Sequence, residues 1–124
     1  MITKPDIRKF DSNSEFYFHE GCFIAEMSNT PDDPEMSIAR ARVGPGQKTK
    51  WHYLNGVTER YVILEGTGSV EVGNLAPQEV TAGDVVLIPP GTPQRIANMG
   101  GNDLVFLAIC VPRFDNSVYV SVLS

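Results

Sequence analysis

The sequence predicts an all-β domain, a barrel or sandwich built from short strands. Two observations predict it. Runs of roughly four to eight residues rich in Val, Ile, Leu, Tyr and Phe recur along the chain, a length that suits strands and is too short for most helices. Turn formers stand between them, at Gly44-Pro45-Gly46, Gly66-Thr67-Gly68, Gly73-Asn74, Ala82-Gly83-Asp84, Pro89-Pro90-Gly91-Thr92-Pro93 and Gly100-Gly101-Asn102-Asp103. Strands this short bury a core by packing face to face or by closing on themselves.

In chain order, residues 16–27 are strand-like, with Phe, Tyr and Ile. Residues 29–34, Asn-Thr-Pro-Asp-Asp-Pro, form a loop, because each proline lacks the N–H that pairing needs. Residues 37–43 alternate small and long side chains. Residues 60–64 (Arg-Tyr-Val-Ile-Leu), 69–72 (Ser-Val-Glu-Val), 84–88 (Asp-Val-Val-Leu-Ile) and 94–98 (Gln-Arg-Ile-Ala-Asn) follow, with turn formers between them. Residues 104–111, Leu-Val-Phe-Leu-Ala-Ile-Cys-Val, are apolar on both faces, so both faces of this strand need cover. Residues 118–122, Val-Tyr-Val-Ser-Val, read equally as an edge strand or as an arm laid on a partner subunit.

A chain of 124 residues buries one core without staples. Hydrophobic residues make up 42% and charged residues 20%, the balance of a soluble globular domain. The net charge of −5 and the scattered Lys and Arg disfavour nucleic acid as a partner. Cys22 and Cys110 show no CxxC spacing; two buried free thiols is the plainer reading, and a disulfide stays open. The first residues lack the pattern of a signal peptide, and no apolar run approaches the ~20 residues of a membrane span. The expected location is cytoplasmic, with no membrane partner.

Two blocks carry the chemistry. The first reads Gly46-QKTKW-His52-Tyr53-Leu54-NGVT-Glu59-RYVILE-Gly66, and the second Gly83-DVVLI-Pro89-Pro90-Gly91-TP-Gln94-RIA-Asn98, with 16 residues between them. These resemble the two motifs of the cupins, in particular the small single-domain cupins of the type-2 conserved barrel family. The framing Gly, His, Glu, Pro, Gly and Asn are in register. The resemblance spans about residues 37–112 and implies a double-stranded β-helix, the cupin or jelly-roll barrel. Residues 37–112 are then the barrel core and residues 1–36 strands and a loop completing the barrel or a dimer. Residues 113–124 form a tail, with one domain overall.

The resemblance places the family's four metal ligands on His52, Leu54, Glu59 and Gln94, so two histidines are replaced. Leu54 ligates nothing, and Gln94 offers a neutral carbonyl oxygen, a weaker ligand than imidazole. Strand alternation puts Glu59, Tyr61 and Ile63 on one face, and Gln94, Ile96 and Asn98 likewise share one. Facing inward, they would line a mixed polar and apolar pocket near His52, Glu59, Tyr61, Gln94 and Ile96. Three readings stand open. His52, Glu59 and Gln94 hold a divalent metal weakly. Alternatively, His52 and Glu59 form a metal-free acid–base pair, with Gln94 and Tyr61 orienting a substrate. Or the pocket binds a ligand without chemistry, around a satisfied core histidine.

The expected function is that of a small-molecule enzyme, weakly metal-dependent, acting on a small polar metabolite as an isomerase, cyclase or lyase and less readily as a dioxygenase. The alternatives are a non-catalytic ligand-binding or regulatory cupin and the metal-free enzyme. Arg40 and Arg42 share a strand face and are expected at the surface or an interface; facing the pocket, they would bind an anion. Arg60 and Arg95 have the parity opposite to Glu59 and Gln94 and lie outside the pocket. His19 is expected to be structural, and Trp51 and Tyr53 to wall the cavity or pack beneath it. No organic cofactor is implied. The two-faced apolar strand at 104–111 points to a homodimer, although the N-terminal segment could supply the cover instead.

Overall fold

The computed structural model describes residue 2 and residues 4–122. Its strands are β1 (Phe16–Phe18), β2 (Cys22–Ser28), β3 (Ser37–Val43), β4 (His52–Leu54), β5 (Thr58–Glu65), β6 (Gly68–Val72), β7 (Gln78–Val80), β8 (Val85–Ile88), β9 (Gln94–Asn98), β10 (Leu104–Val111) and β11 (Tyr119–Ser121). They make two antiparallel sheets, one ordered β1-β2-β3-β10-β5-β8 and the other β11-β4-β9-β6-β7. The chain passes repeatedly from one sheet to the other, the winding of a double-stranded β-helix. The core lies between the sheets, where Val43, Tyr61, Ile63, Ile96, Leu104 and Phe106 are almost fully buried.

Alternation decides what faces inward. On β5, Glu59, Tyr61 and Ile63 are buried while Arg60 is exposed; on β9, Gln94, Ile96 and Asn98 are buried while Arg95 and Ala97 are half-buried. The winding then sorts the chemistry. His52 on β4 pairs with Gln94 on β9, so these two are neighbours in one sheet. Glu59 sits on β5 in the facing sheet, paired with Ile88 and Cys110.

The frame residues hold this arrangement. Gly66 has φ of +86°, and a Cβ there would lie 2.7 Å from the Asp103 carbonyl oxygen, so no other residue fits the β5–β6 turn. Asn98 is structural. Its Nδ2 donates to the carbonyls of Val43 and Asn102, each at 2.8 Å, and its Oδ1 accepts from the Gly100 amide, pinning the end of β9.

Three features differ from the sequence reading. Residues 16–27 are a hairpin rather than one strand, because Gly21, at φ +107°, lets the chain reverse after Phe18. The three-residue strands β4 and β7 were not expected; they are too short to carry a pattern. The 118–122 segment, open between two readings, supplies β11, an edge strand on β4 extended by bonds from Asn55 to Val118 and from Val122 to Trp51.

Arg40 and Arg42 lie on the outer face of β3, opposite the cavity-lining Ala39 and Ala41, so neither faces the pocket. Both pair with Glu15, and Arg42 covers the Phe23 ring at 4.4 Å. On the same outer side, Val62 and Leu107 are half-buried, and Leu64, Val85 and Leu87 are exposed. Among the described residues, Arg8 ties the N-terminal arm to Ser28 at the end of β2 and to Thr30 and Asp32 in the loop that follows.

Candidate active site

A buried chain of hydrogen bonds joins four of the residues singled out above. The His52 Nδ1 lies 2.7 Å from the Lys50 carbonyl, to which it donates, leaving the Nε2 lone pair free to accept. Gln94 Nε2 lies 3.0 Å from that Nε2 and 2.7 Å from Glu59 Oε1, so the amide's two N–H groups serve the imidazole and the carboxyl together. Gln94 Oε1 accepts from the Tyr61 hydroxyl at 2.5 Å, and the accepting His52 Nε2 is what requires an N–H of the amide on its side. The Tyr61 ring packs on Phe106 and His52 stacks on Tyr119, at centroid distances of 4.4 and 4.9 Å. Every polar atom of Gln94 is used, in a place with 0% exposure.

The sequence reading missed Glu20. The hairpin turn that ends at Gly21 carries it inward, and its Oε2 lies 3.9 Å from His52 Nε2. Burial pushes the Glu20 carboxyl above its usual range, against the pull of His52, Cys22 and His19. Glu59 is pushed up to about 8, first by burial and then by the charge of Glu20, with Gln94 and Cys110 opposing. Two carboxyls held in one low-dielectric place keep a proton near neutral pH. Burial also raises the Tyr61 hydroxyl well above its ordinary value. Cys22 and Cys110 are buried and unpaired, and burial raises both thiols, so neither is a nucleophile.

These groups border a cavity of about 570 Å³. Glu20, Glu26, Asn29, Glu59, Tyr61 and Arg113 are among its polar lining, with Phe106 and Phe114 among the apolar walls. The expected pocket is therefore displaced. His52 and Gln94 do not line it; they are sealed behind residues that do, and Ile96 belongs to the core. His19 reaches the lining and touches Phe18 and Tyr119. Trp51 and Arg95 lie outside it, stacked on each other at 4.4 Å, with Arg95 also bonded to Glu71. The Tyr119 hydroxyl is buried without a hydrogen-bond partner among the described residues.

The donor set does not suit the metal that the fold implies. At the four family positions one imidazole and one carboxyl remain, with the Glu20 carboxyl 3.9 Å from His52 Nε2, and Leu54 packs with Val57 and Cys110 as a hydrophobe. Both remaining donors face an N–H of Gln94 rather than each other. Turning the amide to offer oxygen would lose the hydrogen bond to His52 Nε2, and a cation would compete with the proton on Glu59. Among the described residues there is no group of three His, Cys, Asp or Glu side chains placed to hold a metal ion.

The chain has clear relatives. A family model described as a cupin domain matches residues 39–110. An uncharacterized protein of Methanocaldococcus jannaschii is 34% identical over 119 residues, covering 94% of each chain. An oxalate-binding protein of Thermotoga maritima is 37% identical over 74 residues, 60% of each chain. Among solved structures, a nucleoside dehydratase from Streptomyces superposes with a TM-score of 0.75 at 17% identity, covering 94% of this chain and 92% of that one.

Proposed function

This chain belongs to the cupin family, and from that premise we propose that it is an enzyme that works by proton transfer on a small polar metabolite. The carrying observation is the Gln94 amide, which bridges His52 and Glu59 where the resemblance would put a metal. The bridge supplies what a carboxyl needs to move a proton. Glu59 is protonated near neutral pH, it lines the cavity, and its conjugate base is stabilised by the Gln94 N–H. Tyr61 and His52 are positioning residues, holding that amide in one orientation.

Glu20 supplies a second carboxyl lining the same cavity, close enough for its charge to act on Glu59. One carboxyl takes a proton from a ligand C–H or O–H while the other, still protonated, gives one to a ligand oxygen or carbon. That exchange is redox-neutral and suits isomerisation or the elimination of water. The relatives' names point to oxalate binding in one and nucleoside dehydration in another, so the fold does not choose the substrate and the cavity must.

The test is a panel of sugars, hydroxy acids and nucleosides. It is screened by thermal shift and followed by NMR, on protein treated with EDTA and on protein supplied with Mn²⁺, Fe²⁺, Ni²⁺ or Zn²⁺. The expected result is a stabilising compound whose turnover is the same in both preparations. Turnover or binding that requires an added metal would overturn the proposal.

A further inference from the structure

We infer that Arg113 anchors an anionic group of the ligand, a carboxylate or a phosphate, in the cavity that Glu59 also lines. This rests on reading the cavity as a ligand site. Arg113 lies just past β10, and its setting fixes the guanidinium. Its backbone N–H donates to the Pro34 carbonyl at 3.1 Å, and its Nε donates to Asn29 Oδ1 at 2.8 Å. Asn29 Nδ2 in turn donates to the Phe114 carbonyl at 2.9 Å, and the Phe114 amide donates to Ser37 Oγ at 2.8 Å. The fork is thus held on its Nε side, while both Nη groups lack a hydrogen-bond partner among the described residues. Arg8, Arg40, Arg42 and Arg95 each lie in an ion pair with a carboxylate; among the described residues Arg60 and Arg113 have none, and of these two only Arg113 lines the cavity.

A half-buried guanidinium with two free N–H edges matches a pair of anionic oxygens, and its orientation is already set before the ligand arrives. The cavity's other charged groups do not take its place. Glu26 feels the charge of Arg113 but makes no ion pair with it, and burial holds the Glu26 carboxyl above its usual range. Asp115 is exposed and accepts from the Ser117 amide. Burial raises both Glu20 and Glu59, Glu59 to about 8. The ligand class that follows is a small organic acid or phosphate ester whose reacting carbon reaches the two carboxyls while its anion rests on Arg113.

The test titrates acetate, malonate and inorganic phosphate into the full chain at low ionic strength, followed by chemical-shift changes of the arginine Nε–H groups. Wild type should saturate with at least one anion; acetate or malonate marks a carboxylate site and phosphate a phosphoryl site. Arg113→Met should weaken binding at least about tenfold, the worth of a charged hydrogen-bond pair, and Arg113→Lys by less, since it keeps the charge and loses the fork. Glu26→Gln should tighten binding several-fold by removing a competing carboxyl, which keeps the inference testable if Arg113→Met does not fold. Equal affinity in wild type, Arg113→Lys and Glu26→Gln, or no anion bound by wild type, would overturn it. Glu59→Gln should bind the anion as wild type does. Turnover surviving in Glu59→Gln would instead sink the proton-transfer reading and leave the anchor standing.

Discussion

Replacing Glu59 with Gln is expected to give a folded protein whose turnover falls by roughly 10²–10⁴-fold, the usual contribution of a positioned acid–base group. Glutamine has nearly the shape of glutamic acid and still accepts from the Gln94 N–H, so the loss reports the missing proton and not a collapsed site. The same variant changes the pH dependence of stability. In the folded chain Glu59 is raised from 4.5 to about 8. The native state therefore binds a proton that the unfolded chain has released between those values. Stability from this group is complete below pH 4.5 and is lost as pH rises through 8, amounting to at most about 5 kcal/mol at ~1.36 kcal/mol per unit. Urea unfolding from pH 5 to 9 should show wild type weakening more steeply across this window than Glu59→Gln. Glu20 is raised in the same direction and keeps its own share of the slope in the variant. Parallel profiles for the two proteins would contradict the buried proton.

The second large effect is structural. Gln94→Leu removes both N–H donors and the acceptor at once, leaving His52 Nε2, Glu59 Oε1 and the Tyr61 hydroxyl buried without their partners. Each orphaned group costs about 1–3 kcal/mol, so the variant should lose about 4 kcal/mol or more in urea unfolding. Tyr61→Phe breaks only the bond to Gln94 Oε1 and should cost about 1–2 kcal/mol. In a double-mutant cycle the two losses should fall short of additive, because both variants remove the same bond. A Gln94→Leu protein as stable as wild type would show that the bridge is not held as described.

Strand alternation and glycine-framed turns are local properties, which is why the barrel and the inward face of Glu59, Tyr61, Gln94 and Asn98 were legible in the sequence. The rest depended on long-range placement. Glu20 sits within a run of aromatic and apolar residues that reads as one strand; the only local clue is Gly21 interrupting that run. Parity showed that Arg40 and Arg42 share a face but not which face, a choice made when β3 packed between β2 and β10. Arg113 stands beyond Pro112, outside the motif frame, and only the folded chain brings it beside Asn29. Gln94 was weighed as an oxygen donor to a metal, whereas it uses its nitrogen toward His52 and Glu59. Which end of an amide points inward is set by its neighbours, here the accepting Nε2 of His52, and no single-residue reading contains that.

The measurement that bears most directly on a metal-free bridge is the ¹⁵N spectrum of the His52 ring and the Gln94 side-chain amide, recorded before and after Zn²⁺ or Ni²⁺ is added. The bridge predicts a proton on His52 Nδ1, an Nε2 that accepts a hydrogen bond, two Gln94 amide protons shifted by their partners, and no change with metal. A His52 Nε2 resonance that moves to a metal-bound position, with one equivalent of metal retained by the protein, would contradict it.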